Sequence, residues 1–544
     1  MFSDPVVGEK FFGRQAILSL LAKRAGGLKD GFRQNIAILG PKLIGKSSLI
    51  LHFFSHFQHP QIIPIYIDLR ANSFHHFVYK FIGTLLYQCL KNKGLEGTDE
   101  FITLKKNAQK HIPKTLEAIS AIENNMKNAQ SDKAFAALIN LTTTLKQESG
   151  ISAIVMLDEF HFLDSYKLRA PYANLAKEIM VQKDTMYILL SSQVNYAKKV
   201  LIGELSLLFG NFETLYLEHF DYPTSCKFLQ KRFQHLGLPD NLQDFLIDFC
   251  KGHPFYLDSL STLLVEKARS LKEKKAAISP RLIAEAFNSL IYHSTGILNQ
   301  YFTSRLSHNL NGADYSNFIP ILLSATESGA QLRQIAQVSG RQPKKITKQI
   351  NYLLEKDLLT KVGAFYRIQD RLFRFWLKSV YQRKSGSLAQ DPNAESEEFL
   401  KEIEDLIAIF TQQNQLNLAE KVSNLLKSCN NEIVMLHNKL FRFWRFEEVR
   451  PWPKPNSQEY ILARYKEGCW LFWIKNEGVD ETRLQEFINL SKKSKLKIRK
   501  LILITLKKLD LNVKLLALEK RVWIWTKSEL NLILDLYGKQ QVVT

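Results

Sequence analysis

Residues 36–54 read IAILGPKLIGKSSLILHFF. At their centre, Gly40-Pro41-Lys42-Leu43-Ile44-Gly45-Lys46-Ser47 fits G-x-x-x-x-G-K-[ST]. In that loop backbone N–H groups wrap a phosphate chain, the lysine reaches the β and γ phosphates, and the hydroxyl joins a magnesium shell. A pattern this short can occur by accident, so its flanks decide. Ile36 to Leu39 is a short apolar run suited to a buried parallel strand, and Ser48 to Phe54 opens a helix with an apolar side. A helix N-terminus offers free N–H groups and the positive end of the helix dipole, which favour an anion. The stretch therefore predicts strand, phosphate-binding loop and helix, and Ser48 is counted with the loop.

A phosphate loop needs a second strand ending in carboxylates, to hold magnesium opposite the phosphates and to polarise the attacking water. Ile151-Ser-Ala-Ile-Val-Met-Leu157 is strand-like and runs into Asp158-Glu159. Asp158 is expected in the magnesium shell with Ser47, and Glu159 is expected to orient or activate water. Further apolar runs at Gln61–Asp68, Met186–Leu190 and 212–217, separated by mostly helical sequence, predict an α/β fold with a parallel sheet covered on both faces. Polar strand ends in such sheets face the ligand. Ser192, or its neighbour Ser191, is accordingly a candidate γ-phosphate sensor, and Lys46, Glu159 and Ser192 form the expected catalytic set.

At 544 residues the chain is too long for one core and suggests three or four domains. Lys and Arg outnumber Asp and Glu by 74 to 53, a net charge of +21, which favours an acidic partner such as nucleic acid or an anionic surface. The N-terminal MFSDPVVGEK has no apolar core, and no uncharged apolar run approaches 18 residues, so a cytoplasmic chain without a membrane partner is expected. The five cysteines are scattered and never form C-x-x-C, which points away from a disulfide framework or a cysteine zinc site and toward buried thiols.

The ordered set FFGRQAIL (11–18), GPKLIGKSSL (40–49), LDEFHFL (157–163), LLSSQ (189–193) and KGHPFYL (251–257) resembles the archaeal-type ATPases of the STAND and AAA+ branch of P-loop proteins. The resemblance runs from Phe11 to about Tyr381. It implies ATP and Mg²⁺ as cofactors, with Phe12, Gly13 and Arg14 beside the adenine. It also implies a helical lid in which Gly252-His253-Pro254 closes over the nucleotide. One position departs: the family carries Gly-Arg after the sensor strand, and this chain has Gly210-Asn211. Loss of an arginine that stabilises transition-state charge predicts slow hydrolysis, unless Arg169 or Arg232 stands in.

The expected organisation is a P-loop core over 1–222, a helical lid over 223–310, a winged helix-turn-helix over 311–384, a linker with packing helices over 385–430, and an α/β domain over 431–544. In the winged helix the turn Val338-Ser339-Gly340 precedes a helix bearing Lys344, Lys345, Lys348 and Gln349, and LTKVGAFYRI reads as the wing. Lys344, Lys345 and Lys348, with Lys361 and Arg367 on the wing and Arg341 nearby, are the candidate contacts to double-stranded DNA. Such a module can equally dock a protein.

The last stretch reads strand, strand, strand, helix, strand, strand, helix, an order that resembles the restriction-endonuclease-like domain often fused to these ATPases. A nuclease site of that kind needs an acid before one strand and acid-x-Lys on the next. Here Glu459 and Lys475 stand at the first and last positions, but Trp473 stands where the central acid belongs, so cleavage is not expected. SKKSKLKIRK (491–500) holds six basic residues and no acid, a density suited to phosphate contacts. The sequence thus points to an ATP-binding, slowly hydrolysing protein that couples nucleotide state to DNA or partner binding. The alternatives are an ATP-dependent oligomerising signalling scaffold and an active Mg²⁺-dependent nuclease.

Overall fold

The computed structural model describes residues 4–70, 73–95, 100–206, 212–270, 278–310, 315–326, 329–386, 391–436, 439–453 and 459–543. Two units emerge. The first comprises Met1–Phe220 with His253–Phe255, and the second Asp221–Gly252 with Tyr256–Thr544.

The first unit is built on five parallel strands, β1 (Asn35–Leu39), β2 (Ile62–Asp68), β3 (Ser152–Asp158), β4 (Thr185–Ser191) and β5 (Phe212–Tyr216), in the spatial order β2-β3-β4-β1-β5. Each of β1, β3 and β4 is buried along its whole length. Alternation explains why these strands are apolar throughout, since successive side chains point to opposite faces and helices cover both. Ile65, Ile67, Val155, Leu157, Tyr187 and Leu189 enter one core with the helices Phe74–Asn92 and Ser131–Ser149. Their neighbours Ile36, Ile38, Ile154, Met156, Ile188 and Leu190 enter the other, against Gln15–Lys29 and Lys46–His56. β1 lies between β4 and β5 and leads into the glycine loop and the helix Lys46–His56, which is the P-loop NTPase arrangement.

The second unit starts with the helices Tyr222–Arg232, Asp240–Cys250, Pro254–Ser270, Pro280–Phe287 and Ile297–Asn309. A winged-helix-like region follows: helices Tyr315–Ser324, Leu332–Val338 and Pro343–Glu355, with the small antiparallel sheet of β6 (Ala330–Gln331), β7 (Thr360–Val362) and β8 (Phe365–Arg367) in the order β6-β8-β7. Helix Pro343–Glu355 buries Ile346, Ile350 and Leu353, one face of a 3.6-residue period, and exposes Lys344, Lys345 and Lys348.

Beyond the helices Pro392–Asn414 and Leu418–Leu426 comes a hairpin, β9 (Glu432–Leu436) and β10 (Lys439–Phe443). Then follows a mixed sheet of β11 (Glu448–Pro451), β12 (Tyr460–Tyr465), β13 (Gly468–Lys475), β14 (Ile498–Thr505) and β15 (Val522–Trp525), in sequential order. β11 to β13 pair antiparallel, while β13, β14 and β15 run parallel. The sequence reading passed directly from β14 to β15. A parallel pair needs a crossover, and the helix Leu511–Glu519 supplies it. The β9–β10 hairpin was also not anticipated.

That hairpin meets the wing. Ala364 N–H donates to the Ile433 carbonyl at 3.0 Å, and Gly363 turns at φ +65° so close to β9 that a Cβ there would lie 2.5 Å from the same oxygen. Ion pairs join the same parts. Arg367 and Arg374 both bind Asp535 on the helix Lys527–Leu536, the second at 2.9 Å, with all three side chains largely buried. Arg371 and Lys251 converge on the buried Asp248, and Lys251 Nζ also donates to Gln541 Oε1 at 2.6 Å. Burial opposes ionisation of Asp535, but the two guanidiniums prevail and hold its carboxyl below the usual range.

Candidate functional site

The glycine loop leaves β1 with Gly40 pressed against β5: a Cβ on Gly40 would lie 2.5 Å from the Leu217 carbonyl, so no side chain fits. Leu43 takes a left-handed conformation, and Gly45, at φ 99°, precedes the first helical residue Lys46. The free N–H groups of this N-terminus therefore open into the loop. Lys46 is only 5% exposed, and its Nζ donates to the carbonyls of Gly40 at 2.9 Å and Pro41 at 3.0 Å. Burial pulls its amine below the ordinary lysine range, with Glu159 and Asp158 opposing that shift. Ile44 is buried beneath the loop.

Ser47 Oγ donates to Asp158 Oδ2 at 2.5 Å. Tyr66 of β2 donates to the same oxygen at 2.7 Å, a partner not foreseen from the sequence. Asp158 is fully buried, and its Oδ1 has no partner among the described residues. A buried carboxylate oxygen left without a donor is costly, and a cation is what such an oxygen lacks. Burial and the neighbouring Glu159 raise the Asp158 pKa, a cost that a metal would relieve. Among the described residues no group of three His, Cys, Asp or Glu side chains is placed to hold a metal. Asp158 and Ser47 fit Mg²⁺ only if phosphate and water oxygens complete its shell, which is how this ion is ordinarily bound beside phosphates.

Glu159 sits one residue past the strand in a left-handed conformation, φ 53°. That turn sends its carboxylate toward β4, where Oε2 accepts the Ser192 N–H at 2.7 Å. His161 Nδ1 lies 3.5 Å from Oε2 and 2.9 Å from Ser191 Oγ. Burial works against its charge, yet Lys46, His161 and Ser192 bring the Glu159 carboxyl below its usual range. Of the two candidate serines, Ser191 is fully buried, its hydroxyl meeting His161 and the Gln193 N–H, whereas Ser192 is half-buried. Arg70, just beyond β2, chelates Asp68 with two contacts of 2.9 Å from its Nε and stands in the field of Asp158 and Glu159.

The remaining expected residues fall as follows. Phe12 packs edge-on against Phe220 at 6.1 Å, and Gly13 and Arg14 are both left-handed ahead of the helix Gln15–Lys29. The Arg14 guanidinium lies 4.9 Å from the Phe220 ring and donates to the Glu218 carbonyl at 2.5 Å. Ser48 Oγ accepts the Val6 N–H at 3.0 Å. His253 is buried and packs against His219 at 5.1 Å, and Pro254 starts the helix Pro254–Ser270. Both belong to the first unit with the loop. Asn211 lies outside the described residues. Arg232 is paired with Asp258, and the Arg169 backbone N–H donates to Asp132 Oδ1 at 2.8 Å.

In the second unit, Lys344, Lys345, Lys348 and Lys361 are exposed. Arg367 departs from the expectation: its side chain is 12% exposed and spent on Asp535, because the wing's second strand faces the C-terminal helix and not solvent. Glu459 and Lys475 meet, with Nζ donating to Oε1 at 2.5 Å, while Trp473 is buried between Tyr460 and Phe487. Cys89, Cys250, Cys429 and Cys469 are buried thiols and Cys226 is partly so. No described helix is long and apolar enough to cross a membrane.

No protein-family model matches the chain, and no curated protein matches it. Solved structures do align. The Walker-type ATPase PABY2304 of Pyrococcus abyssi is 18% identical with a TM-score of 0.47, covering 69% of this chain and 99% of that one. The Aeropyrum pernix ORC2 protein, in ADPNP-ADP complexes, is 13% identical at 0.45, covering 75% and 98%. The Thermotoga maritima RuvB Holliday junction branch migration motor is 12% identical at 0.35, covering 70% and 99%. At these values the likenesses carry no functional argument, and the P-loop NTPase fold stands on the strand order and the loop geometry.

Proposed function

We propose that the chain is an ATP-binding, slowly hydrolysing P-loop ATPase of the STAND and AAA+ kind, whose nucleotide state sets how its winged-helix region engages double-stranded DNA or a partner. The observation that carries the reading is the convergence of Lys46, Ser47, Asp158 and Glu159 at one helix N-terminus, with Asp158 Oδ1 unpartnered. In this reading the loop N–H groups and Lys46 bind the β and γ phosphates. Ser47 and Asp158 hold Mg²⁺, which would neutralise phosphate charge. Glu159, once it leaves the Ser192 amide, accepts a proton from the attacking water, and Ser192 is then free to meet the γ phosphate. Phe12, Gly13, Arg14, His253 and Pro254 are assigned to the adenine and lid side of the site.

DNA contact falls to Lys344, Lys345, Lys348 and Lys361. The 431–544 region is read as a nuclease-like domain that binds without cutting, supported by Trp473 at the central position and by the direct pairing of Glu459 with Lys475. The test is DNA affinity with ATP, with ADP and without nucleotide across a salt series, for wild type and Lys46→Ala. A steep salt dependence that shifts with ATP only in wild type supports the reading; nucleotide-indifferent binding overturns the coupling. A second reading, the oligomerising signalling scaffold, is favoured by the wing, whose turn is already engaged by β9. ATP-dependent mass growth without DNA affinity would select it.

A further inference from the structure

At one end of the C-terminal sheet the N-terminal ends of three parallel strands lie side by side, with Cys469 beside Ile498 and Leu501 beside Val522. Lys495, Lys497, Arg499 and Arg521 are exposed there. Residues Ser491 to Lys500 carry six Lys and Arg and no acid, Lys520 and Arg521 join them just before β15, and Glu519 there is taken by Lys520 at 2.8 Å. Of the acids contributed by the adjoining strands, Glu448 is held by Arg450 at 2.9 Å and reached by Arg464, which leaves Glu447 and Glu467 against the cluster.

Lys500 sits inside this end. Its side chain points to the core face and places Nζ 3.5 Å from the Trp523 ring centroid and 4.7 Å from that of Trp470, with Phe441 at 5.9 Å. Among the described residues no carboxylate pairs with it, and burial alone lowers its pKa to about 8. Rings attract a cation but do not neutralise it. A partly desolvated ammonium without a counter-ion is unfavourable unless an anion from outside arrives.

The Glu459–Lys475 pair marks the other end of the same sheet: Lys475 is beside Thr505, six strand residues from Cys469 and so about 20 Å away. The cations therefore do not serve a cleavage site at Glu459. We infer that this end of the sheet, with Lys500 at its centre and Lys495, Lys497, Arg499 and Arg521 around it, binds the phosphate backbone of a nucleic acid as a second contact surface separate from the winged helix. The inference extends the DNA-binding reading, yet it stands on different residues.

The experiment compares the full chain with two variants, Lys495→Gln/Lys497→Gln/Arg499→Gln on the sheet and Lys344→Gln/Lys345→Gln/Lys348→Gln on the helix, plus Lys500→Gln and Lys500→Arg. Affinity for a duplex and for a single strand of the same length is measured from about 50 to 200 mM salt, with the tryptophan fluorescence of each chain compared with that of Trp523→Phe to isolate the Trp523 signal. The sheet variant is expected to lower the log–log salt slope by about 2–3, since each phosphate contact contributes about 0.9 on a duplex and 0.7 on a single strand. Lys500→Gln should weaken binding and remove the fluorescence change, and Lys500→Arg should restore both. The strand form that shows the larger slope change identifies the form bound. A sheet variant with the wild-type slope, in a chain whose thermal unfolding is unchanged, overturns the inference. So does loss of binding to phosphatidylserine vesicles with nucleic-acid binding retained, which would assign a lipid surface. If the sheet variant loses slope and the helix variant does not, the inference stands and the winged-helix reading fails.

Discussion

Arg367 and Asp535, 168 residues apart, form an ion pair whose side chains are only 12% and 13% exposed. The wing arginine is thereby a structural cation of the second unit. Arg367→Gln should cost stability, read as a lower urea midpoint, and leave the salt slope of DNA binding unchanged. A slope reduced by about one would return Arg367 to the DNA-contacting set.

Removing the acid is the harsher change. Asp535→Ala leaves Arg367 and Arg374 without their carboxylate in a largely buried place. Breaking a buried pair from one side costs about 3–5 kcal/mol, so urea unfolding of the second unit should show a loss of that order.

The same acid sets a pH response. The Asp535 carboxyl is held below its unfolded value, so its contribution is present above the unfolded pKa of about 3.9 and is lost as pH falls through the folded one. Asp248, buried yet lowered by Arg371 and Lys251, acts in the same direction. Unfolding midpoints of wild type should drop below about pH 4, with a shallower drop in Asp535→Asn.

At the proposed nucleotide site, Glu159→Gln should retain ATP while lowering turnover at least about a hundredfold, the lower range for losing a general base. Binding of a fluorescent ATP analogue beside phosphate release separates the two. Unchanged turnover would remove Glu159 from the chemistry.

Asp158→Asn is expected to abolish the dependence of ATP affinity on Mg²⁺ and leave metal-free binding close to wild type. Titrations with and without EDTA check this. Lys46→Ala should weaken binding in both conditions by about tenfold to a hundredfold, the factor for losing a charge-assisted hydrogen bond of about 1.5–3 kcal/mol.

The glycine loop between strand and helix, the Asp158-Glu159 strand end and the parallel sheet were legible because each is a local pattern with a fixed chemical reason. The companions of those residues were not. Tyr66 reaches Asp158 across 92 residues, and His161 reaches Ser191 because Glu159 turns left-handed; neither relation leaves a periodic trace. Arg70 carried a weak signal, an arginine two residues after an acidic strand end. Arg367 was misassigned because a basic wing reads as a surface when the helix that takes its arginine lies 168 residues further on at Asp535. The helix Leu511–Glu519 buries Val513 and Ala517 but also exposes Leu511, Leu515 and Leu518, so its apolar residues fall on both sides and gave no amphipathic period to detect.

The seating of Gly363 against Ile433 also bears on how the protein can be taken apart. A fragment cut at residue 384 would look complete by its motifs, a P-loop ATPase with a winged helix. It would leave the backbone of the wing's turn uncovered and Arg367 and Arg374 without Asp535. Such a fragment should express as an insoluble or aggregating product, whereas the uncut chain should not. Winged-helix region and tail should then be obtained in soluble form only as one piece.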